Sequence, residues 1–241
     1  MFGQIAGKYD RMNHLLSMNV DRYWRWKTVR IVPAIGTAPI LDVCTGTGDL
    51  AFAYRKATQG KVPIVGADFC PEMLQIAEHK KRAAQIDGQL DFVEASAMEL
   101  PYPDNRFQIV CVAFGLRNVE STDQGLREMV RVCRPGGRVA VLEFSQPARQ
   151  PIKALYGLYF RHLLPRIGQL LARNEQAAYA YLPSSVGEFP SGQALAERMN
   201  QAGLHDTKFC PLTCGIATLY CGTKPATPLD SPNDPLPSLP A

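Results

Sequence analysis

The sequence predicts an α/β fold: a mostly parallel sheet with helices on both faces. Three observations carry this. Short uncharged runs rich in β-branched residues alternate with longer segments of helical pattern, as expected of parallel strands covered on two sides. A glycine-rich turn, Thr45-Gly-Thr-Gly-Asp49, joins the first run to the first helix. Acidic and polar residues close the next runs, and open α/β sheets bind ligands at those strand ends.

The elements follow in order. Residues 39–44 (PILDVC) read as the first strand, with a helix from about residue 49. A second strand covers 62–67, a helix 71–84, a third strand 90–94 and a fourth 108–114. A helix over 124–133 leads to a fifth strand at 137–144, and late strands fit 205–210 and 216–221. Segment 152–173 is apolar on most sides, with His162, Arg166, Gln169 and Arg173 on one helical face and Pro165 kinking it. It reads as a cap helix on the core, as a wall for an apolar substrate, or as a membrane-surface contact.

With 241 residues, 46% hydrophobic and 20% charged, the chain has material for a sizeable core. Disordered, collagen-like and coiled-coil classes are excluded. One domain is expected over 1–224. Residues 225–241 hold six of the nineteen prolines and no aromatic residue, so a disordered tail is expected there. The longest uncharged apolar stretch, 108–116, is far short of the ~20 residues of a membrane helix, and the early Lys8, Asp10 and Arg11 do not fit a signal peptide. The net charge of +4 is spread out with no Lys/Arg run, which argues against nucleic acid. The seven cysteines are odd in number and lack CxxC spacing, so free thiols, several in the core, and a cytoplasmic setting are expected. The spacing of Cys210, Cys214 and Cys221 could suggest a metal site, but neighbouring His or Asp ligands are scarce, and core thiols with no metal site are expected.

A cofactor constellation emerges from the strand ends. Gly46 and Gly48 allow a tight turn and close approach to a ligand. Asp68, twenty residues after Gly48, can accept ribose hydroxyls. Ser96 and Ala97 follow the third strand and can reach an adenine. These features suit a nicotinamide enzyme or an S-adenosylmethionine enzyme. Asp42 before the turn and Asp49 after it would repel a pyrophosphate, which wants bare N–H groups at a positive helix end. They would suit a sulfonium and an α-amino group, which favours S-adenosylmethionine.

Longer motifs add a resemblance. Tyr9-Asp-Arg-Met-Asn-His-Leu-Leu-Ser17 with Trp24, Leu100-Pro-Tyr-Pro-Asp104, Phe114-Gly-Leu-Arg-Asn-Val119 and Arg131-Val-Cys-Arg-Pro-Gly-Gly137 resemble the motifs of the ubiquinone/menaquinone biosynthesis C-methyltransferase family. The resemblance covers nearly everything before the tail. It implies a class I S-adenosylmethionine methyltransferase with a Rossmann-like seven-stranded sheet, an N-terminal helical lid over 1–36 and a helical substrate-side insertion over 151–190. Family cofactor contacts fall on Thr47, Asp68, Ser96 and Ala97. The family often has Asn where this chain has Ser96, and Ala113 stands where some members carry Ser.

The resemblance further implies a prenylated quinol substrate, either demethylmenaquinol or a 2-polyprenyl-6-methoxy-benzoquinol. The Leu41-Asp-Val-Cys44 start of the loop is closer to menaquinone-pathway members. Arg117 and Asn118 are the expected catalytic residues, stabilising a phenolate or ordering a water that takes its proton. Arg117 could instead brace its loop by pairing with a carboxylate. Tyr9, Asn13 and His14 are expected at the substrate, with His14 either a base or merely solvated. Glu143 and Ser145 end the fifth strand near the same crevice. A transient contact with the membrane inner leaflet through 152–173 is expected, and a homodimer is left open. The rival readings are a methyltransferase for another small molecule, a nicotinamide dehydrogenase and a non-catalytic member of a quinone-synthesis assembly.

Overall fold

Strands buried on two faces need mostly apolar residues, and two runs meet that demand with one polar residue each, Asp42 and Gln108. Ile40–Val43 (β1) and Phe107–Ala113 (β4) are buried along nearly their whole length. A computed structural model describes residues 17, 19–147, 150, 154, 158 and 186–226. Tyr9, Asn13, His14, nearly all of 152–173 and all of 227–241 lie outside the described residues.

The remaining elements are α1 (Val20–Ile31), α2 (Asp49–Ala57), β2 (Ile64–Asp68), α3 (Pro71–Ala83), β3 (Leu90–Glu94), α4 (Thr122–Val132), β5 (Cys133–Phe144), α5 (Gln193–Gln201), β6 (His205–Leu212) and β7 (Ala217–Thr223). They form one seven-stranded sheet in the order β3-β2-β1-β4-β5-β7-β6. β1 to β5 run parallel, and β7 is antiparallel to both its neighbours. The strand order reverses between β1 and β4, the switch point where the crevice for a ligand opens.

Side chains alternate across β1 and divide the core into two layers. Leu41 and Val43 pack with Leu126 and Met129 of α4 and Leu195 and Met199 of α5. Ile40 packs on the other face with Trp24, Val29, Leu50 and Tyr54. The described part of the 1–36 segment thus contributes a buried helix face, Trp24 included. Asp42 shares the parity of Ile40 and is directed toward α2.

Several boundaries differ from the sequence reading. Helix α4 starts at Thr122, because Ser121 caps it by accepting the Gln124 N–H at 3.3 Å. Strand β5 starts at Cys133; the Arg-Pro-Gly-Gly run stays extended across a register shift opposite Phe107–Ile109. Helix α5 has no counterpart in the sequence reading. Cys210 and Cys214 are exposed, unlike Cys70, Cys111 and Cys133, because β6 is an edge strand and Cys214 lies in the turn after it. Among the described residues no helix is long and apolar enough to cross a membrane.

Lys224 closes the sheet's far end. Its Nζ donates to the carbonyls of Val130 (2.9 Å), Arg131 (3.2 Å) and Cys133 (2.9 Å) and to Asn105 Oδ1 (2.7 Å). A cation there satisfies the last carbonyls of α4 and opposes the helix dipole. Replacing Lys224 by Met should therefore lower stability by about 1–3 kcal/mol in urea unfolding; Lys208→Met, on the exposed face of β6, should change it by less than about 0.5 kcal/mol.

Candidate active site

The turn after β1 winds through alternating left-handed residues: Cys44 (φ 52°), Gly46 (56°) and Gly48 (86°). Gly48 has no substitute, since a Cβ there would lie 2.7 Å from the Phe92 ring and 2.9 Å from Phe52. Gly46 differs: no heavy atom lies within 4 Å of where its Cβ would be. The loop is packed from beneath and open above, the shape needed to bring its backbone close against a ligand.

The neighbouring strand ends converge on this loop. The Gly46 N–H donates to Asp68 Oδ2 at 2.7 Å, and the Cys70 N–H to Asp68 Oδ1 at 2.9 Å. The Phe69 N–H acts on the same carboxylate, and of its about four acceptor sites capacity remains for a hydroxyl. The Ala95 N–H donates to the Asp68 carbonyl at 2.9 Å, which draws the end of β3 alongside. There Ser96 Oγ accepts the Met98 N–H at 3.2 Å, and the Ala97 side chain is buried. Phe69, directly after Asp68, is 59% exposed. The sequence reading passed over Phe69; an aromatic residue following the strand-ending acid was its signal.

Asp42 and Asp49 do not stand where the charge argument put them. Asp42 is buried beneath the loop, where Oδ2 accepts the Thr45 hydroxyl at 2.6 Å and the Ala51 N–H at 3.1 Å. It performs the capping that Gly48 cannot, at the positive end of α2. Asp49 pairs with Lys80 at 2.8 Å and with Arg25 at 3.5 Å. Lys80 also donates to Thr47 Oγ1 at 2.9 Å, and Thr47 is buried. The loop's outward charge is therefore smaller than two free carboxylates would give. Lys80 and Arg25, absent from the sequence reading, lie more than twenty residues from Asp49 in the chain, so no local pattern marks them.

Burial sets the electrostatics. It raises Asp42 to about 7, with the Thr45 and Ala51 hydrogen bonds pulling the other way. It also raises Asp68, against the Cys70 and Gly46 N–H bonds, and Glu143, against the charge of Arg117. The Cys44 thiol is pushed well above its ordinary range by burial and then by Asp68, Asp42 and Glu143, so it is an inert thiol ringed by carboxylates.

The loop after β4 meets the cofactor loop directly. A Cβ at Gly115 would lie 2.4 Å from Cys44 Cβ, and Phe114 before it is left-handed at φ 60°. Arg117 and Asn118 follow in a short 3₁₀ turn. Arg117 Nη1 donates to both oxygens of Glu143, at 2.9 and 3.0 Å, and to the Phe114 carbonyl; its guanidinium lies 5.2 Å from the centre of the Phe144 ring. The bracing contact is thus present, and Glu143 is Arg117's partner. Two buried atoms here have no hydrogen-bond partner among the described residues: Arg117 Nε and Asn118 Oδ1. Trp24, Phe114 and Phe144 form an aromatic cluster beside them, with ring centres 4.5–5.9 Å apart. Ser145 is buried away from this turn, bonded to Thr218 and the Gly215 carbonyl.

A parallel sheet with this reversal, a glycine loop over a strand-ending acid, and one antiparallel strand define a class I S-adenosylmethionine-dependent methyltransferase. Residues 1–224 match the model of the ubiE/COQ5 methyltransferase family, and the chain belongs to that family. It is 45% identical to a demethylmenaquinone methyltransferase of Deinococcus radiodurans, over 93% of this chain and 91% of that one. It is 43% identical to a ubiquinone/menaquinone biosynthesis C-methyltransferase of Geobacter sp. (strain M21), covering 93% and 94%. Among solved structures, a putative methyltransferase in complex with the Haloferax volcanii Trm112 activator superposes with a TM-score of 0.66 at 17% identity, covering 93% of this chain and 98% of that one. A possible histamine N-methyltransferase of Thermotoga maritima gives 0.63 at 16% identity, covering 92% and 97%. These two likenesses concern the fold.

Two predictions follow from the buried charges. Arg117→Met leaves Glu143 buried and uncompensated, and should cost about 3–5 kcal/mol in urea unfolding. Adding Glu143→Leu should recover most of that loss; purely additive effects would mean the two side chains are not coupled. Asp42 binds a proton in the folded state up to pH about 7 but only to about 3.8 when unfolded. Its effect on stability is therefore most favourable below pH 3.8 and is lost as pH rises toward 7. The thermal midpoint of Asp42→Asn should accordingly fall less between pH 5 and 8 than that of the unmodified protein.

Proposed function

We propose that this chain transfers a methyl group from S-adenosylmethionine to a ring carbon of a reduced prenylated quinone, with demethylmenaquinol as the acceptor. The observation that carries the reading is the Arg117–Asn118 turn. Among the described residues, a buried donor without a partner, Arg117 Nε, and a buried acceptor without one, Asn118 Oδ1, lie next to each other in sequence and beside the cofactor loop. A phenolic hydroxyl is both donor and acceptor, and suits such a pair.

Bound S-adenosylmethionine supplies an electrophilic methyl group on a sulfonium. In this reading the remaining acceptor capacity of Asp68 holds a ribose hydroxyl, and Phe69 offers an apolar wall to the adenine beside Ser96 and Ala97. The Gly46 and Gly48 N–H groups are held by Asp68 and by the Thr45 carbonyl, which fixes the loop with its open side above Gly46 toward the cofactor, and Asp42 holds that loop from below. The Cys44 surroundings are rich in carboxylates, which favours a cationic donor over a pyrophosphate.

Arg117 stabilises the phenolate oxygen as the phenolic proton passes to water. Electron density then rises on the ortho carbon, which takes the methyl group as its bond to sulfur breaks with the electron pair left on sulfur; that carbon then loses its own hydrogen as a proton to water and the ring regains aromaticity, whereas an oxidised quinone has no phenolic proton to lose at the start. Glu143 keeps the guanidinium in place, and holding the ring in line is worth several kcal/mol. Tyr9, Asn13 and His14 complete the substrate side in this proposal, and a transient membrane contact brings the enzyme to its acceptor. The Leu41-Asp-Val-Cys44 loop start favours the naphthoquinol, as does the name of the Deinococcus radiodurans relative; the Geobacter relative is named for both routes.

Methyl transfer from labelled S-adenosylmethionine tests this directly. The acceptors are a short-chain demethylmenaquinone and a short-chain 2-prenyl-6-methoxy-benzoquinone, each with and without dithionite. Label should enter the reduced naphthoquinone, more slowly the reduced benzoquinone, and neither oxidised form. Arg117→Lys should lower turnover by about 10²-fold or more while cofactor affinity changes by less than about threefold. Protein that binds the cofactor but labels neither acceptor would overturn the substrate.

A further inference from the structure

The outer face of α1 has no part in the site described above. Arg22, Tyr23, Trp26, Lys27 and Arg30 fall within an arc of about 140° on that helix, opposite the buried Asp21, Trp24 and Thr28. Trp26 is 49% exposed and Tyr23 46%. Their rings touch at 5.8 Å, and the Arg30 guanidinium lies 5.0 Å from the centre of the Trp26 ring. Ile31 and Ile35, 40% and 66% exposed, continue the strip beyond the helix. Four of the seven large exposed apolar side chains among the described residues therefore lie within thirteen positions.

The charges on this face are of one sign. Among the described residues no carboxylate pairs with Arg22, Lys27 or Arg30; the nearby Asp21 and Asp49 are taken by Arg25 from the helix flank. Aromatic rings with a polar edge favour the headgroup layer of a bilayer, and cations beside them are drawn to anionic lipid. A protein interface also favours Tyr, Trp and Arg but is depleted of charge at its core, whereas here three cations, Lys27 among them, interleave with the rings. The opposite face of α1 carries Trp24 onto Phe114, with ring centres 5.7 Å apart. A surface bound to the outer face would lie about one helix diameter, ~10 Å, from the Phe114–Asn118 loop.

We infer that the Arg22–Tyr23–Trp26–Arg30 face of α1 docks on the surface of an anionic lipid bilayer. Its purpose rests on the lipid-quinol reading above, since a prenylated acceptor resides in the membrane; its physics rests on the helix alone. This surface is distinct from segment 152–173.

The test uses the full chain and quinone-free vesicles of phosphatidylglycerol with phosphatidylcholine, compared with phosphatidylcholine alone. Co-sedimentation should favour the anionic vesicles by about tenfold or more and fall with added salt. The double variant Arg22→Glu/Arg30→Glu should lose that preference, yet methylate a soluble short-chain acceptor within about twofold of the unmodified rate. The chain has two tryptophans, of which Trp24 is buried, so brominated lipid should quench the unmodified protein and spare Trp26→Phe. No binding to anionic vesicles, or binding that the double variant keeps, would overturn the proposal. So would self-association through this face, seen by sedimentation and abolished in the double variant, without vesicle binding. Vesicle binding without methylation of the short-chain acceptor would uphold the docking face and overturn the quinone reading alone.

Discussion

The crevice depends on the near contact of two loops that leave adjacent strands. β1 and β4 are neighbours in the sheet but lie on either side of the reversal in strand order. Their following loops must diverge to make room for a ligand, yet stay close enough to share one. Gly115 against Cys44 sets that separation. Any side chain at Gly115 would wedge the loops apart, shifting the glycine turn on one side and the Arg117–Asn118 turn on the other. The left-handed Cys44 and Phe114 show backbone strain held at this point, as is common where geometry is fixed for a task.

The site also concentrates ionisable groups that burial would rather discharge. Asp42, Asp68 and Glu143 are each raised by desolvation, and each is held back by hydrogen bonds or by a cation. Three different compensations are used: a hydroxyl and a helix N-terminus for Asp42, loop N–H groups for Asp68 and a guanidinium for Glu143. Only Glu143 is in direct contact with a cation, the charge of Arg25 acting on Asp42 from farther away, so the neighbourhood of Cys44 keeps a negative bias. That bias lies deeper than the sequence reading placed it.

The central strands were legible because burial on both faces leaves a local signature: β1, β2, β3 and β4 fall within two residues of their expected limits. The α3 helix was legible from Pro71 at its start. Helix α5 was not, since nine residues with three buried ones make a weak period. The early start of α4 was written in Ser121 and Gln124, a capping pair that the apolar pattern alone does not reveal. For the site, residues at strand ends could be read because topology gathers strand ends. Their partners could not: Glu143 is twenty-six positions from Arg117 and Lys80 thirty-one from Asp49, and only the fold brings them together. The cofactor inferred from Asp42 and Asp49 agrees with the family, although one of those carboxylates lies buried and the other is neutralised.

The position of β7 has a consequence for biosynthesis. It is the last strand among the described residues, yet it lies between β5 and β6. As the chain emerges from a ribosome, β6 has no neighbour to pair with, and the outer edge of β5 stays bare, until residues through Thr223 are free. The half of the sheet bearing β1 to β4 can assemble during synthesis, while the other half must wait for termination or for whatever follows to clear the exit tunnel. During that interval β5 presents an unprotected apolar edge, the kind of surface that chaperones shield.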